Sequence, residues 1–334
     1  MKKLFLVLLV LSVFGFVTSG EAADRVYNLR MATVVNPPHP WHEAADFVIR
    51  EMEARTNGAV QIRMFGGSQL GTDQSTFEDM RLGTIDFVVG GATTVVNFVP
   101  ELGILNMPYF YRDLDQFRKV MAPRGPIVDK FREIYQGKDL GVRLMTFGAG
   151  GSRVFSNNLR DITAPDQLKG IKMRVPNNPE DAMLWGSVGA LVTAMPWNEI
   201  YPALQAGVIN SFESTLSAYY GSKLFEVAKH MSNTQHIIMV SHFLMSEATW
   251  NRLPEEYRKI LDELSDEVAR IFTDKGEEFD EQIIKEIQEQ HGVTVSEVDK
   301  EAFMRQFQDI HDELAARGGN EALLQLLRDT REGN

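Results

Sequence analysis

The chain lacks cysteine altogether: none occurs among its 334 residues. This absence excludes a disulfide framework, a thiolate nucleophile and a lipid-modified cysteine that would tether the protein to a membrane. Any chemistry or binding must therefore rest on other side chains.

Long hydrophobic runs are missing beyond the N-terminus. Residues 4–17 are almost wholly apolar, follow two lysines and precede a small-x-small sequence at residues 20–22. This pattern predicts a secretory signal peptide over residues 1–22, and it is shorter than the roughly 20 residues that a membrane span requires. We expect a soluble mature protein that diffuses freely in the periplasm.

An excess of positive charge is also missing, since the formal net charge is −12. A balance this acidic argues against nucleic acid as a partner. If the ligand is an anion, local cations must bind it against the field of the whole molecule.

The remaining length and the order of elements predict an α/β fold. About 310 residues exceed what one hydrophobic core usually holds, so two lobes are expected. The chain opens β-α-β-α-β, and a second α/β pattern follows the glycine-rich stretch "GAGG" at residues 148–151. We predict a first lobe over residues 23–148 and 237–280, a second over 149–236, and C-terminal helices over 281–334 that pack on the lobes.

No assembled catalytic set is visible in the sequence. "HPWHEAAD" at residues 39–46 resembles the start of a zinc-protease H-E-x-x-H motif, but Asp46 stands where the second histidine must be. No G-x-S-x-G elbow and no nucleotide-binding glycine motif occurs. We expect no metal, no cofactor and no enzyme activity; the alternative is a secreted enzyme that uses His39, His42 and Glu43.

Candidate ligand anchors lie at loops and strand ends of the second predicted lobe. Arg174 ends the alternating stretch "KGIKMRVPNN", on the side of the strand opposite Met173, and Arg153 follows the glycine-rich stretch. An arginine fork matches a carboxylate, and an aromatic face such as Trp197 packs on a carbon skeleton. Each residue alone also fits a structural role, but ligands of α/β folds bind at such strand ends. Glu213 and Ser214 end another short strand and join this set.

Five segments, in this order, resemble the solute-binding proteins of TRAP (tripartite ATP-independent periplasmic) transporters, the DctP family. "LKGIKMRVP" followed by "MPWNEIYPALQAG" is specific to that family, and the likeness covers nearly the whole mature chain. The segments are "GGSQLGTDQ", "LGTIDFVVGG", "PELGILNMPYFYRD", "LKGIKMRVPNN" and "AMPWNEIYPALQAGVINSFES".

The resemblance implies a two-lobed periplasmic-binding-protein (venus flytrap) fold, with long C-terminal helices spanning the lobes and the ligand closed between them. It implies that Arg174 clamps a carboxylate, that Arg153 assists, and that Trp197 packs over the ligand. Ser214 stands where many members have asparagine. The implied partners are a small organic acid and the small and large membrane subunits of a TRAP permease, and we expect a monomer.

Further residues are expected to face the cleft, and the ligand stays open. A C4-dicarboxylate, a sugar acid, or an aromatic or 2-oxo acid each satisfies one arginine clamp, and an aromatic lining favours a monocarboxylate with a bulky body. A sensor that signals to a membrane receptor would use the same lobes. The further candidates are His39, Trp41, Gln69, Asp73, Thr93, Asn97, Tyr219 and Tyr220.

Overall fold

The computed structural model describes residues 25–333, so the predicted signal peptide lies outside the described residues. The strands are β1 (Tyr27–Ala32), β2 (Val60–Phe65), β3 (Phe87–Gly91), β4 (Val142–Asn157), β5 (Lys172–Val175), β6 (Leu191–Ala194), β7 (Ser211–Thr215), β8 (His230–Ser246) and β9 (Thr294–Ser296). The helices are α1 (Pro40–Arg55), α2 (Asp73–Arg81), α3 (Leu114–Val120), α4 (Pro126–Lys138), α5 (Pro179–Ser187), α6 (Ile200–Gln205), α7 (Leu216–Gly221), α8 (Glu247–Arg252), α9 (Glu255–His291), α10 (Lys300–Phe307), α11 (Ile310–Gly318) and α12 (Glu321–Glu332). None of the helices in this described part is both long and apolar enough to cross a membrane.

Two lobes share one sheet of nine strands within residues 25–333, in the order β2-β1-β3-β8-β4-β7-β5-β6, with β9 beside β8. The first lobe holds the parallel strands β2, β1 and β3, and the second holds β7, β5 and β6. Each set comes from the strand-helix alternation that the sequence shows, because parallel neighbours need a crossover connection. The predicted two-lobed α/β fold is confirmed.

The long antiparallel strands β4 and β8 pass from one lobe into the other. The predicted lobe boundaries, after residues 148 and 236, fall inside these strands rather than in linkers. The stretch "GAGG" is not a break: it is an irregularity in the β4–β8 ladder between Ala149 and Ser152, where Gly151 has a φ of 98°. A bulge of this kind bends a strand without ending it, so the chain turns from lobe to lobe while it stays in the sheet.

Helix α9 also spans both lobes, so the predicted boundary at residue 280 cuts a continuous helix of 37 residues. Its Leu264, Val268 and Phe272 pack in the core of the first lobe with α1 and β1. Its Ile283 and Ile287 pack in the core of the second lobe with Phe212 and Tyr219. The helix ends where Gly292 adopts the left-handed conformation that suits glycine.

A third hydrophobic cluster connects the lobes through the C-terminal helices. Phe303 and Phe307 of α10 and Leu327 of α12 are buried in one cluster with Phe131 of the first lobe and Trp185 of the second. The lobes are thus joined by two strands, one long helix and this shared apolar cluster. The two lobes also face each other across a cleft that is lined by residues of both.

Candidate functional site

A cavity of about 40 Å³ lies in the cleft between the lobes. Larger surface grooves, such as one of about 660 Å³ beside α9 and α10, do not contain the two arginines that the sequence singles out. The cavity does. Its lining residues are Val34, Val35, His39, Trp41, Asp73, Thr94, Arg153, Arg174, Pro176, Trp197, Ser214, Thr215, Ala218 and Met239.

Arg174 is buried, with 4% of its surface exposed, although the alternation of its strand predicts a polar face. It lies in β5, and its Nε donates a hydrogen bond of 2.9 Å to the carbonyl of Met195, just after the paired strand β6. Its guanidinium lies 5.8 Å from the ring centre of Trp197. Burial lowers the pKa of Arg174 to about 10, so it remains a cation at neutral pH.

The two terminal nitrogens of Arg174 make no hydrogen bond and no ion pair with any residue of the described chain. A buried cation with free donors is costly unless a counter-ion reaches it. These donors form the planar fork that binds both oxygens of a carboxylate.

Arg153 is held differently, because Glu213 pairs with it. Arg153 Nε and one terminal nitrogen each donate to a carboxylate oxygen of Glu213. The pairing of β4 with β7 places the two side chains diagonally on one face of the sheet. Glu213 therefore faces the arginine rather than the cavity, which differs from the expected direct contact with the ligand.

The buried Glu213 carboxylate is an anion. Burial alone would raise its pKa, but the charge of Arg153 together with the hydrogen bonds of Arg153 and His236 outweighs burial and holds the pKa of Glu213 well below its usual range. His236 Nε2 lies 3.5 Å from the same carboxylate. Burial lowers the pKa of His236, so its ring is neutral. This arrangement fixes Arg153 at the cavity wall and leaves Arg174 as the cation with free donors.

The first lobe supplies an acidic group opposite the arginines. Asp73 begins α2, where Thr72 and Ser75 form a capping box, and it lies at the cavity with Thr94. Burial raises the pKa of Asp73 to about 6, partly offset by Arg174 and by a hydrogen bond with Thr94. At neutral pH Asp73 is a carboxylate that accepts hydrogen bonds from a ligand and repels a second negative charge.

His39 offers a neutral donor to the same cavity. It caps α1, and its Nδ1 accepts a hydrogen bond of 3.2 Å from the backbone N–H of Trp41, which places the ring proton on Nε2. Burial lowers the pKa of His39 far below its usual range. Its Nε2 is buried and has no partner among residues 25–333, so it can donate to a bound ligand.

Apolar side chains form the rest of the wall. Trp41 is fixed by a hydrogen bond of 2.7 Å from Nε1 to Ser241, and Trp197 by one of 3.1 Å from Nε1 to Ser222. Val34, Val35, Pro176, Ala218 and Met239 complete the apolar lining. The site thus combines one free cation, one acid, one neutral donor and an apolar wall.

Several predicted residues lie elsewhere. Tyr219 is fully buried in the core of the second lobe, where it stacks on Phe212 and its hydroxyl donates to the carbonyl of Ala228 at 2.7 Å. Tyr220 bonds Glu286 on α9. Helix α7 is only six residues long, and its cavity side is occupied by Ala218, so neither tyrosine lines the cavity.

In the first lobe, Gln69 is exposed in the loop before α2, and neither it nor Asn97 lines the cavity. The 3-10 turn Ala92–Val95 places Thr94 in the cavity wall rather than its neighbour Thr93. Sequence reasoning also missed Val34, Val35, Pro176, Ala218 and Met239. A loop or helix shows no periodicity that identifies which of two adjacent side chains faces a cleft, so no signal in the sequence could have found them.

The residues of the enzymatic alternative do not form a common site. His39 lies in the cavity wall, His42 Nε2 is 3.0 Å from the carbonyl of Val35, and Glu43 is exposed on α1. Over residues 25–333, no group of three or more histidine or acidic side chains is arranged to hold a metal ion.

Comparison with known proteins adds the family. The family model of bacterial extracellular solute-binding proteins, family 7 (DctP), matches residues 31–317. The chain belongs to the DctP family. Among curated relatives, a solute-binding protein of Roseobacter denitrificans is 30% identical over 71% of this chain and 72% of its own. The 2,3-diketo-L-gulonate-binding periplasmic protein YiaO of Escherichia coli is 26% identical over 89% of this chain and 88% of its own.

Solved structures of DctP proteins share the whole architecture. A TRAP periplasmic solute-binding protein of Chromohalobacter salexigens with bound D-glucuronate has a TM-score of 0.83 and 26% identity, covering 92% of this chain and 100% of that one. One of Polaromonas with bound D-erythronate has a TM-score of 0.84 and 25% identity, covering 91% and 98%. The DctP protein described here is therefore a solute-binding protein by family and by fold.

Proposed function

We propose that this DctP protein captures a small hydroxylated monocarboxylate in the cleft between its lobes and delivers it to a TRAP permease. The observation that carries the proposal is the buried Arg174, whose terminal nitrogens lie at the cavity without a hydrogen-bond partner in the described chain and form a fork that fits a carboxylate. Arg153, fixed by its pair with Glu213, forms the neighbouring part of the cavity wall.

The polar groups opposite Arg174 favour hydroxyls over a second carboxylate. Asp73 accepts hydrogen bonds, and an ionised Asp73 repels another anion. His39 Nε2 donates one. A hydroxylated acid such as a sugar acid satisfies both, whereas a C4-dicarboxylate places its second charge against Asp73. The bound acids of the Chromohalobacter and Polaromonas proteins, D-glucuronate and D-erythronate, belong to this class.

Uptake requires the lobes to move apart. A cavity of about 40 Å³ holds only a few water molecules and is too small for a six-carbon acid. Strands β4 and β8 and helix α9 are the connections that must bend, and closure then removes the arginine-carboxylate pair from water. Because water is then excluded, a ligand that lacks the carboxylate leaves the buried donors of Arg174 unpaired and loses binding free energy.

The partners and the compartment follow the same proposal. Secretion through the predicted signal peptide places the protein in the periplasm, where it meets the small and large subunits of a TRAP permease. The comparison proteins of known structure are described as TRAP periplasmic solute-binding proteins, which supports this assignment.

A thermal-shift screen tests the function. A ligand that binds only the folded protein stabilises it by mass action and so raises its melting temperature. At a ligand concentration 100 times Kd, the free energy of unfolding rises by about 2.7 kcal/mol. We expect a shift with hexuronates or aldonates, and a smaller one with C4-dicarboxylates and aromatic 2-oxo acids. If no carboxylate in the panel shifts the melting temperature, the proposal fails.

A further inference from the structure

Helix α7 of the second lobe is pressed against a loop of the first lobe at the rim of the cleft. A Cβ atom built on Gly221 would lie 2.6 Å from the carbonyl oxygen of Asn36 and 3.3 Å from that of Pro37. Both are backbone atoms; real Cβ atoms essentially never lie as close as 2.6 Å to another atom, and 3.3 Å is tighter than most real Cβ contacts. Gly221 has no left-handed backbone conformation that would itself require glycine. Space alone excludes a side chain there.

This contact is continuous with the wall of the ligand cavity. Ala218, one helical turn before Gly221, lines the cavity and is buried in the first-lobe core together with Val34 and Val35. Ser222, the next residue, accepts the hydrogen bond of Trp197 Nε1. The position of α7 against the loop therefore sets where the Trp197 ring lies over Arg174.

The chain that leads into the loop on the other side is anchored at residues 34 and 35. The carbonyl of Val35 accepts a hydrogen bond of 2.8 Å from the backbone N–H of Gly67 and lies 3.0 Å from His42 Nε2. The carbonyl of Val34 accepts one from Ser68. An added methyl group at position 221 must therefore displace α7 or residues 36 and 37, and either movement separates the two sides of the rim.

We propose that Gly221 is a positioning residue for lobe closure: its lack of a side chain lets α7 close onto residues 36 and 37 and bring the two halves of the ligand site together. This inference rests on the proposed function, because it assigns a determinant of affinity to the same cleft. A methyl group there holds the rim open by roughly half an ångström, a gap that forfeits a quarter or more of the contact energy of facing atoms. The ligand then cannot contact both lobes at their optimal distance, so its affinity falls.

The test compares Gly221→Ala with Gly186→Ala. Gly186 lies on an exposed part of α5 in the same lobe, has no atom within 4 Å of a built Cβ, and also lacks a left-handed conformation. With D-glucuronate as the probe in titration calorimetry, we expect Gly221→Ala to bind at least tenfold more weakly than the wild type and Gly186→Ala to equal the wild type. Thermal unfolding without ligand checks that both variants fold.

A second measurement does not depend on the choice of ligand. Because the chain has no cysteine, Glu53→Cys on α1 and Leu191→Cys on β6 give two unique spin-label positions, one in each lobe. Electron-spin distance distributions recorded without ligand should already show a closed population in the Gly186→Ala background that Gly221→Ala shifts to longer distance, because the contact of Gly221 involves protein atoms only. Addition of D-glucuronate should enlarge the closed population in the Gly186→Ala background. Equal distributions in both backgrounds and equal Kd values overturn the inference. If the wild type binds no acid at all, the proposed function fails, and the distance comparison still decides the role of Gly221.

Discussion

The strongest structural prediction concerns Glu213, the buried partner of Arg153. Its side chain has no exposed surface, and that of Arg153 is 13% exposed. Replacing Glu213 by alanine leaves the guanidinium desolvated and without its counter-ion, which costs about 3–5 kcal/mol for a buried pair. Glu213→Gln keeps the shape and one acceptor, so we expect it to lose about 1.5–3 kcal/mol, the range for hydrogen bonds to charged groups.

Urea unfolding followed by tryptophan fluorescence measures this loss as a change in the free energy of unfolding. The matched control is Glu199→Gln, which removes a charge from an exposed position in the turn Trp197–Glu199 of the same lobe. The control should change stability by less than about 0.5 kcal/mol. A Glu213→Ala variant as stable as this control would refute the account of the ion pair.

The pH dependence gives an independent check on Glu213. Its pKa in the folded state lies below the ordinary value of 4.5, so the stability it contributes is complete above that value and is lost as the pH falls through the folded-state pKa. Glu213→Gln should lack this part of the acid destabilisation. If the wild type and the variant lose stability in parallel below pH 4.5, the carboxylate is not the ionised partner that the structure indicates.

Two further predictions separate ligand contacts from core contacts. Asp73→Asn should weaken binding of hydroxylated acids and strengthen binding of C4-dicarboxylates in calorimetry. In the wild type, affinity for hydroxylated acids should fall as the pH drops below about 6, where Asp73 takes up a proton. The affinity of the variant should not show this pH dependence. Unchanged selectivity in Asp73→Asn would contradict this reading of the site. Tyr219→Phe should lower the free energy of unfolding by about 1 kcal/mol through loss of the bond to Ala228 and leave Kd unchanged; a large change in Kd would place Tyr219 at the ligand after all.

Local patterns in the sequence predict much of the fold because periodicity and capping are local. Helix α9 follows from such local patterns, since apolar residues recur at helical spacing between Leu264 and Ile287 and Gly292 ends the helix. The glycine-rich stretch at residues 148–151 does not interrupt β4, and the sequence suggests an interruption because glycines that permit a bulge also occur in loops. Only the pairing of β4 with β8 shows that residues 148–151 stay in a strand.

The sequence predicted those site residues whose side-chain chemistry suits a carboxylate, and it missed those whose place depends on how distant segments pack. Arg153 and Arg174 could be identified because an arginine fork matches a carboxylate and the family motif marks the same positions. The burial of Arg174 and the pairing of Glu213 with Arg153 depend on contacts between distant segments. Tyr219 was predicted to line the cleft but lies in the core, because the sequence alone does not distinguish an aromatic residue that lines a cleft from one that packs in the core beside it.

The most direct test of the carboxylate clamp is calorimetry of the best acid from the thermal-shift screen against wild type, Arg174→Lys, Arg174→Ala and His39→Ala. Lysine keeps the charge but not the fork, whereas alanine removes both. We expect the largest loss of affinity for Arg174→Ala, a smaller loss for Arg174→Lys, and the smallest for His39→Ala, which removes a single neutral donor. Wild-type affinity in Arg174→Ala would contradict the central claim that this buried guanidinium holds the ligand's carboxylate.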